Sequence, residues 1–363
     1  MSDLERNIAE INEVVQNATV HARGNSLRQR RKRDPARPAA RWVSEARVGR
    51  EKGTALAVVL STIGCAHARS DSGGCTMCSY LLDGVEESPT PEQIVSQFRL
   101  AMTELETKSA PLSVKIYTSG SFLDPDEIPS IARSEILRII AEDKRIREVV
   151  LESRPEYIND HVLSDVRSVL GDRIIEIGMG LESSSDTVRS VCINKNFDLH
   201  AFKTALKTAK NHNIGIRAYV LLKPPLLSER DALLDAIKTI QEAKTLGVTT
   251  VSLNPVNVQK DTLVEKLWSK GRYRPPWLWS VLEVLRQAGN GTDRWMKVVC
   301  DPVAGGKQRG AHNCGKCDTG IIEAIRQFSI SQDPTVLQNH TCECTSQWEH
   351  ILKHEDFALV VHR

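Results

Sequence analysis

Short apolar runs alternate with amphipathic stretches from about residue 54 to 255 of the chain. The runs are nearly continuous and rich in Val and Ile, which is typical of parallel strands covered on both faces. They predict six strands, at residues 55–62, 112–118, 147–153, 174–182, 214–222 and 248–254.

The segments between the runs carry helix start and stop signals. Thr90 and Pro91, followed by Gln93, predict a helix that begins with a capping box. Ser228 opens and Gly247 ends a segment with apolar residues at helical spacing. Six strands alternating with helices predict an α/β fold, a partial (βα)6 barrel, with a doubly wound parallel sheet as the alternative.

The pattern changes at both ends of this region and predicts three parts. Residues 1–53 form a basic N-terminal arm and helix, residues 54–290 form the barrel, and residues 291–363 form a small Cys-rich metal-binding domain. The longest apolar run is far shorter than the roughly 20 residues of a membrane span, and the N-terminus lacks the pattern of a secretory signal. We therefore expect a cytoplasmic protein with no membrane segment.

Charge is unevenly distributed along the chain. The net charge is only +2, yet 11 basic residues and three acidic ones fall between Arg23 and Lys52. Such an arm predicts an anionic partner, nucleic acid or a lipid surface, and the alternative is a solvated, partly disordered leader. The candidate contacts of the arm are Arg28, Arg30, Arg31, Lys32, Arg33, Arg37 and Arg41.

Three of the nine cysteines follow the first predicted strand directly. Cys65, Cys75 and Cys78 therefore lie at the carboxyl end of that strand, where barrels build active sites. A structural zinc site uses four protein ligands, whereas an iron–sulfur cubane held by three cysteines leaves one iron open. The count favours an open [4Fe–4S] cluster over a zinc site completed by His67 or over unligated thiols.

Four more cysteines form a CxxC pair and a CxC pair near the C-terminus, namely Cys314, Cys317, Cys342 and Cys344. Two close pairs of thiolates match a closed tetrahedral zinc site, which would stabilise a small domain. A second iron–sulfur cluster and unligated thiols are the alternatives, with Cys300, His312 and His340 as substitute ligands. Cys192, alone on a predicted helix, is interpreted as a core residue.

The first cysteine group resembles the radical S-adenosylmethionine (SAM) superfamily. There, three cysteines follow the first barrel strand and end in CxxC with an apolar residue before the last, as Met77 stands before Cys78 here. The nine-residue spacer between Cys65 and Cys75 is longer than the common one and is similar to the branch that contains the elongator catalytic subunit. The resemblance implies that the open iron binds SAM, whose reductive cleavage yields a radical that takes a hydrogen from the substrate.

The same resemblance implies SAM contacts at the strand exits. The motif TSGSF is similar to a small-residue turn that cradles the SAM amino group in the superfamily, and ESRPE is similar to a motif of the elongator-like branch. A tight strand exit and a salt bridge at the mouth are the alternative interpretations. The implied SAM contacts are Met77, Ser119, Gly120, Ser121, Glu152, Glu182 and Arg217.

Together with LLKPP, NPVNVQK and HNCGKCD, these motifs resemble the archaeal radical SAM family of archaeosine synthase components over roughly residues 50 to 345. The resemblance implies a tRNA substrate whose D-arm carries a lysine adduct of 7-cyano-7-deazaguanine, installed by an ArcS-type transferase. It also implies an electron donor and radical cleavage of the lysine C–N bond to leave archaeosine. The alternatives are another radical SAM tRNA-modifying enzyme and a zinc-stabilised tRNA-binding subunit with a structural cluster.

Overall fold

In a computed structural model, which describes residues 3–24, 26, 32–289 and 296–355, the chain folds around an eight-stranded sheet. Each strand pairs with the next one along the chain. The first pair is antiparallel and every later pair is parallel. The strands are β1 (Ala40–Val48), β2 (Glu51–Val59), β3 (Leu112–Tyr117), β4 (Ile146–Glu152), β5 (Ile174–Glu182), β6 (Gly215–Leu222), β7 (Thr250–Pro255) and β8 (Lys297–Val299).

Helices connect the parallel strands and cover the outer face of the sheet, which curls into a half-barrel. In chain order, the helices of the described ranges are α1 (Asp3–Arg23), α2 (Ala66–Arg69), α3 (Pro91–Met102), α4 (Ser130–Glu142), α5 (Asp160–Leu170), α6 (Leu199–Asn211), α7 (Glu229–Leu246), α8 (Leu263–Ser269), α9 (Leu278–Gly289), α10 (Asp318–Ser331) and α11 (Thr345–His354). Three predicted helix boundaries are confirmed. Thr90 forms a capping box with Gln93 before α3, and α7 begins after Ser228 and ends at Gly247.

The predicted fold class is confirmed, and the six predicted strands correspond to β2 through β7. The apolar pattern does not predict β1 and β8. β1 reads ARWVSEARV and is exposed at most of its positions, so it lacks a continuous apolar run. It forms an antiparallel edge strand within the segment that the charge pattern assigns to the basic arm. β8 has three residues, too few for any periodicity to show.

The two faces of the sheet differ in polarity because successive residues of a strand point to opposite sides. The outer face supplies apolar residues to a continuous core beneath the helices, among them Leu56, Val114, Val149, Ile177, Ile216 and Val251. The inner face carries partly exposed polar residues, among them Lys115, Tyr117, Glu152, Tyr219, Ser252 and Asn254. The expectation of apolar cover on both faces is therefore wrong for the inner face, which is a polar concavity.

A buried ion network closes the amino-terminal end of the half-barrel. Arg217 Nη2 lies 2.8 Å from Glu176 Oε2 and 3.8 Å from Glu148 Oε1. Glu148 Oε2 also accepts hydrogen bonds from Lys297 Nζ (3.2 Å) and the Gly49 N–H (3.3 Å). Burial alone would raise the pKa of Glu176, but the charges of Arg217 and Lys297 hold it well below its usual range. This network is the floor of the barrel, opposite the strand exits.

The C-terminal helices share their core with the barrel. Ile321, Ile325 and Phe328 of α10 are buried in the same hydrophobic cluster as the outer face of the sheet. α10 also contacts β1 and β8, the two edges of the half-barrel. The division of the chain at 53/54 and 290/291 stays a prediction. Within the described ranges, no helix combines the length and the hydropathy that a membrane crossing requires.

Candidate functional site

The first cysteine group lies on one loop, residues 65–78, at the carboxyl end of β2, which is the open mouth of the half-barrel. Cys65 precedes α2, and the Cys78 N–H donates to the Cys75 carbonyl at 3.2 Å. The turn 118–121, which leaves β3, contacts this cysteine loop. An added Cβ at Gly120 would lie 2.5 Å from Cys65 Cα, so only glycine permits the contact.

A segment distant in sequence fixes the conformation of the cysteine loop. It comprises the π-helix Val188–Ile193 and Asn194, which adopts a left-handed conformation with φ 56°. Asn194 Nδ2 donates to the carbonyls of Ser72 (2.8 Å) and Gly74 (2.7 Å). Single π-helical turns occur often at functional sites. The loop is thus shaped by contacts that do not use its cysteine side chains.

His67 and Cys192 belong to this support. His67 Nε2 lies 2.6 Å from the Asn194 carbonyl oxygen and Nδ1 lies 3.0 Å from Ser72 Oγ. Burial lowers the pKa of His67 to about 4. Because both ring nitrogens are engaged, His67 does not suit the role of a fourth metal ligand. Cys192 is buried and its carbonyl accepts the Thr76 hydroxyl at 2.8 Å, which confirms its interpretation as a core residue.

The three thiols are partly exposed at the mouth, and charge on one affects the others. Burial raises the pKa of Cys78 to about 12, and charge on Cys75 and Cys65 raises it further. Burial also raises the pKa of Cys75, while Lys195 and Arg154 lower it. Such thiols become thiolates when a bound cation shares their charge. Among the described residues, they do not form a compact group with all sulfurs within 4.8 Å of one another.

Two carboxylates brace the turn 118–121, Glu127, which is buried, and Glu152, which is partly exposed. Glu127 accepts the Ser121 N–H at 2.6 Å, and Glu152 accepts the Thr118 N–H at 3.3 Å. Burial raises the pKa of Glu127 to about 7 and that of Glu152 to about 8. Both carboxyls can therefore hold a proton near neutral pH, whereas an exposed glutamate is ionised there.

The structure brings most of the predicted SAM contacts to this mouth. Those at the ends of β3, β4 and β5 are Ser119, Gly120, Ser121, Glu152 and Glu182. Met77 lies on the cysteine loop and packs against the small core around the π-helix. Arg217 does not join them. It is the third residue of β6, and its guanidinium is bound to Glu176 in the floor.

Two cations lie at the mouth: Arg154, which belongs to the ESRPE motif, and Lys195, which sequence reasoning missed. Lys195 Nζ lies 2.6 Å from Glu182 Oε1, and Glu182 holds a left-handed φ of 63° where the pairing of β5 is irregular. Lys195 and Arg154 both lie over the Phe197 ring, 5.5 and 5.3 Å from its centroid. Both also lower the pKa of Cys75, although each is paired with a carboxylate, Lys195 with Glu182 and Arg154 with Glu156. No spacing or motif in the sequence indicates Lys195.

The second cysteine group is compact. Cys314 Sγ lies 4.0 Å from Cys317 Sγ and 3.6 Å from Cys342 Sγ. Cys317 Sγ lies 3.7 Å from Cys344 Sγ. A tetrahedral ion with metal–sulfur bonds of about 2.3 Å places its sulfurs about 3.8 Å apart. The four cysteines therefore fit one metal ion, and the predicted metal-binding role is supported.

Polar hydrogens point at two of these sulfurs. Trp279 Nε1 lies 3.2 Å from Cys344 Sγ, and Asn313 Nδ2 lies 3.4 Å from Cys317 Sγ. Donors of this kind stabilise thiolates and orient metal ligands. Among the described residues, the compact group consists of the four cysteines and includes none of the substitute ligands Cys300, His312 and His340.

The basic arm is described only in part, because Arg28, Arg30 and Arg31 lie outside the described residues. Lys32 is exposed. The other candidates each face a carboxylate, as the pairs Arg33–Asp83 (3.1 Å), Arg37–Asp34 (3.6 Å) and Arg41–Glu104 (2.9 Å). These carboxylates weaken the positive potential of the arm.

Comparison with known proteins places the chain among archaeal relatives, although no protein-family model matches it. The archaeosine synthase subunit beta of Methanosarcina acetivorans is 41% identical over 335 residues, which cover 92% of this chain and 95% of that protein. The archaeosine synthase subunit beta of Thermococcus kodakarensis is 38% identical over 313 residues, covering 86% and 96%. Among solved structures, an Elp3 from Methanocaldococcus infernus is similar, with a TM-score of 0.44 and 17% identity, covering 56% of this chain and 51% of that one.

Proposed function

Because the chain belongs to the archaeosine synthase subunit beta family, we propose that it is the radical SAM subunit that completes archaeosine in tRNA. The substrate is a tRNA whose D-arm carries a lysine adduct of 7-cyano-7-deazaguanine. An ArcS-type transferase attaches that lysine first, and a separate electron donor supplies the reducing electron. The observation that carries the proposal is the 41% identity over 92% of the chain. A tRNA-modifying role also makes the cytoplasm the expected location.

The cysteine loop is the proposed cluster site. Cys65, Cys75 and Cys78 hold a [4Fe–4S] cluster and leave one iron open for SAM. When bound, cluster and SAM supply an electron and then a carbon-centred radical that removes a hydrogen atom from the lysine side chain. The setting of the thiols supports this role, since the loop leaves each of them only partly exposed to water.

The mouth residues are the proposed SAM site. The main chain of the turn 118–121 receives the SAM amino group, and Lys195 and Arg154 attract its carboxylate. Glu152 and Glu182 offer oxygens to the ribose hydroxyls, and Met77 packs beneath the loop. Arg217 is better explained by the floor, where it neutralises Glu176.

The polar concavity is the proposed place of the lysine adduct. It is lined by side chains that can bind a polar chain, among them Lys115 and Tyr117, which are partly exposed. The Tyr219 hydroxyl is buried there without a hydrogen-bond partner. After a hydrogen atom is removed from the carbon next to the one that bears the nitrogen, the C–N bond breaks and the lysine carbons leave as an alkene. The nitrogen stays on the base and takes up one electron from the donor and one proton, which gives the formamidine of archaeosine.

We further propose that the second cysteine group binds structural zinc. The sulfur spacing fits one ion, and four thiolates close its coordination shell. Metal analysis should find one zinc per chain, and Cys342→Ser should lose that zinc while keeping the iron of the cysteine loop. Loss of iron together with zinc, or iron at both sites, would contradict this assignment.

SAM cleavage under reducing, oxygen-free conditions tests the enzyme proposal. The reconstituted wild type should form 5′-deoxyadenosine, and Cys75→Ala should abolish it. Cys300→Ala is the matched control, because Cys300 is a buried cysteine outside both groups. Formation of 5′-deoxyadenosine by Cys75→Ala at the rate of the control would contradict the radical mechanism.

The RNA substrate separates this proposal from its alternatives. Adduct-bearing tRNA should be converted to archaeosine-containing tRNA, with free SAM-derived 5′-deoxyadenosine formed in step. SAM cleavage without conversion of this tRNA would favour another radical modification. A fully loaded cluster that cleaves no SAM, with or without the tRNA, would favour a tRNA-binding subunit with a structural cluster.

A further inference from the structure

The end of α1 lies against the cysteine loop. Val20 packs on Gly73, where an added Cβ would lie 3.2 Å from Val20 Cα, and Gly73 holds a left-handed φ of 71°. Arg23, the last residue of α1, donates from Nε to the Gly73 carbonyl at 2.9 Å and from Nη2 to the Cys78 carbonyl at 3.0 Å. A single side chain thus joins the two ends of the segment that carries Cys75 and Cys78.

The Arg23 guanidinium is buried and its hydrogen bonding is incomplete. The residue is 5% exposed, and Nη1 is buried with no hydrogen-bond partner. Its two acceptors are neutral carbonyls, and within the described part of the chain it pairs with no carboxylate. A buried cation without an anion is unfavourable. An iron–sulfur cluster is anionic and has sulfur acceptors, so it would supply both missing partners.

We propose that Arg23 is a positioning residue of the iron–sulfur cluster, which fixes the turn at Cys78 and raises the reduction potential of the cluster. The proposal rests on the proposed function, because it requires the cluster at the cysteine loop. Nη1 donates to a cluster sulfur or to the Cys78 thiolate, and the guanidinium charge stabilises the reduced state. Hydrogen bonds to sulfur and nearby charge both tune the potential of such clusters.

A redox titration of the reconstituted cluster, read by electron paramagnetic resonance of the reduced state, tests the proposal. At a fixed solution potential, Arg23→Gln should lower the ratio of reduced to oxidised cluster at least tenfold, about 59 mV for a one-electron couple. Arg23→Lys keeps the charge without the planar fork, so its shift should be smaller. Arg173→Gln is the matched control, because Arg173 also donates to main-chain carbonyls, those of Ile146 and Leu170, away from the mouth. Its potential should equal that of the wild type.

An unchanged potential in a fully loaded Arg23→Gln protein overturns the proposal. If Arg23→Gln folds, by its thermal unfolding curve, but binds no iron, iron loading becomes the readout. Recovery of iron by Arg23→Lys then supports the proposal, and no recovery overturns it. A wild type that binds no cluster at the cysteine loop would instead contradict the proposed function, and the two failures are therefore distinguishable.

Discussion

Gly120 is the residue at which the turn after β3 meets Cys65. Gly120→Ala places a methyl group against the Cys65 backbone and should cost about 1–3 kcal/mol of unfolding free energy, as overpacking does. Bound iron per chain should fall as well, because the cysteine loop must move. Gly320→Ala is the control, since nothing lies within 4 Å of its added Cβ. Urea unfolding and iron analysis measure both, and equal losses in the two variants would refute the packing argument.

Glu152 makes stability depend on pH. Burial raises its pKa to about 8, whereas an unfolded glutamate has a pKa of about 4.3. Between these values the folded chain binds more protons than the unfolded one, so the free energy of unfolding falls as pH rises through this window. Glu152→Gln should make this decline shallower, while Glu127, whose pKa burial raises to about 7, keeps a decline of its own. Urea titrations from about pH 5 to pH 8 measure it, and parallel curves for wild type and variant would exclude the effect.

The sequence allows the prediction of residues whose role depends on local spacing. Cys65, Cys75 and Cys78 are recognisable because their ligand type and spacing are written in one short segment. Lys195 and Arg23 reach the same mouth from elsewhere in the chain, and only the packing of helices brings them there. Arg217 is the opposite case. The apolar pattern predicts its strand, but it does not show that Arg217 lies near the amino-terminal end of that strand, away from the mouth.

At the scale of elements, the π-helix segment fixes the conformation of the cysteine loop through hydrogen bonds to its main chain. Asn194→Gly keeps the left-handed backbone but removes the donors to Ser72 and Gly74. Loss of these two partly buried hydrogen bonds should destabilise the loop by about 1–3 kcal/mol. The expected result is faster loss of iron to a chelator, followed by absorbance. Asn213→Gly is the control, since Asn213 also has a left-handed φ, of 55°, but lies outside the mouth. A similar rate of iron loss in wild type and Asn194→Gly would contradict this supporting role of the π-helix segment.

Strands are predictable from the sequence where one of their faces is buried, because burial requires apolar residues. β2 through β7 each face the helix-covered core and so carry apolar runs. β1 is an exposed edge strand that is stabilised by its pairing with β2. Its residues therefore show no apolar pattern that would predict a strand. The polarity of the inner face was also hidden, because small and polar residues such as Gly178 and Ser252 interrupt the apolar runs without breaking them.

For the whole molecule, the proposed contact with tRNA depends on the sum of the charges of the arm. Affinity for tRNA should fall steeply between low and physiological salt, because phosphate contacts release counterions. Lys32→Ala should reduce this salt slope more than Arg41→Ala, since Arg41 is paired with Glu104. Filter binding at several salt concentrations gives the slopes. An affinity that does not change with salt would exclude the arm as a phosphate-binding surface.

β1, an edge strand of the sheet, contacts α10 although the two elements lie far apart in the chain. Arg47 Nη1 of β1 is 3.4 Å from the carbonyl oxygens of Ile330 and Ser331, residues 283 and 284 positions later. At about 5–20 residues per second, a ribosome needs roughly 15 to 60 s to make that intervening chain. During this time the outer edge of β1 is a nascent strand without its cover, open to pairing with other chains. Synthesis of this protein therefore includes an interval in which a chaperone has a defined segment to protect.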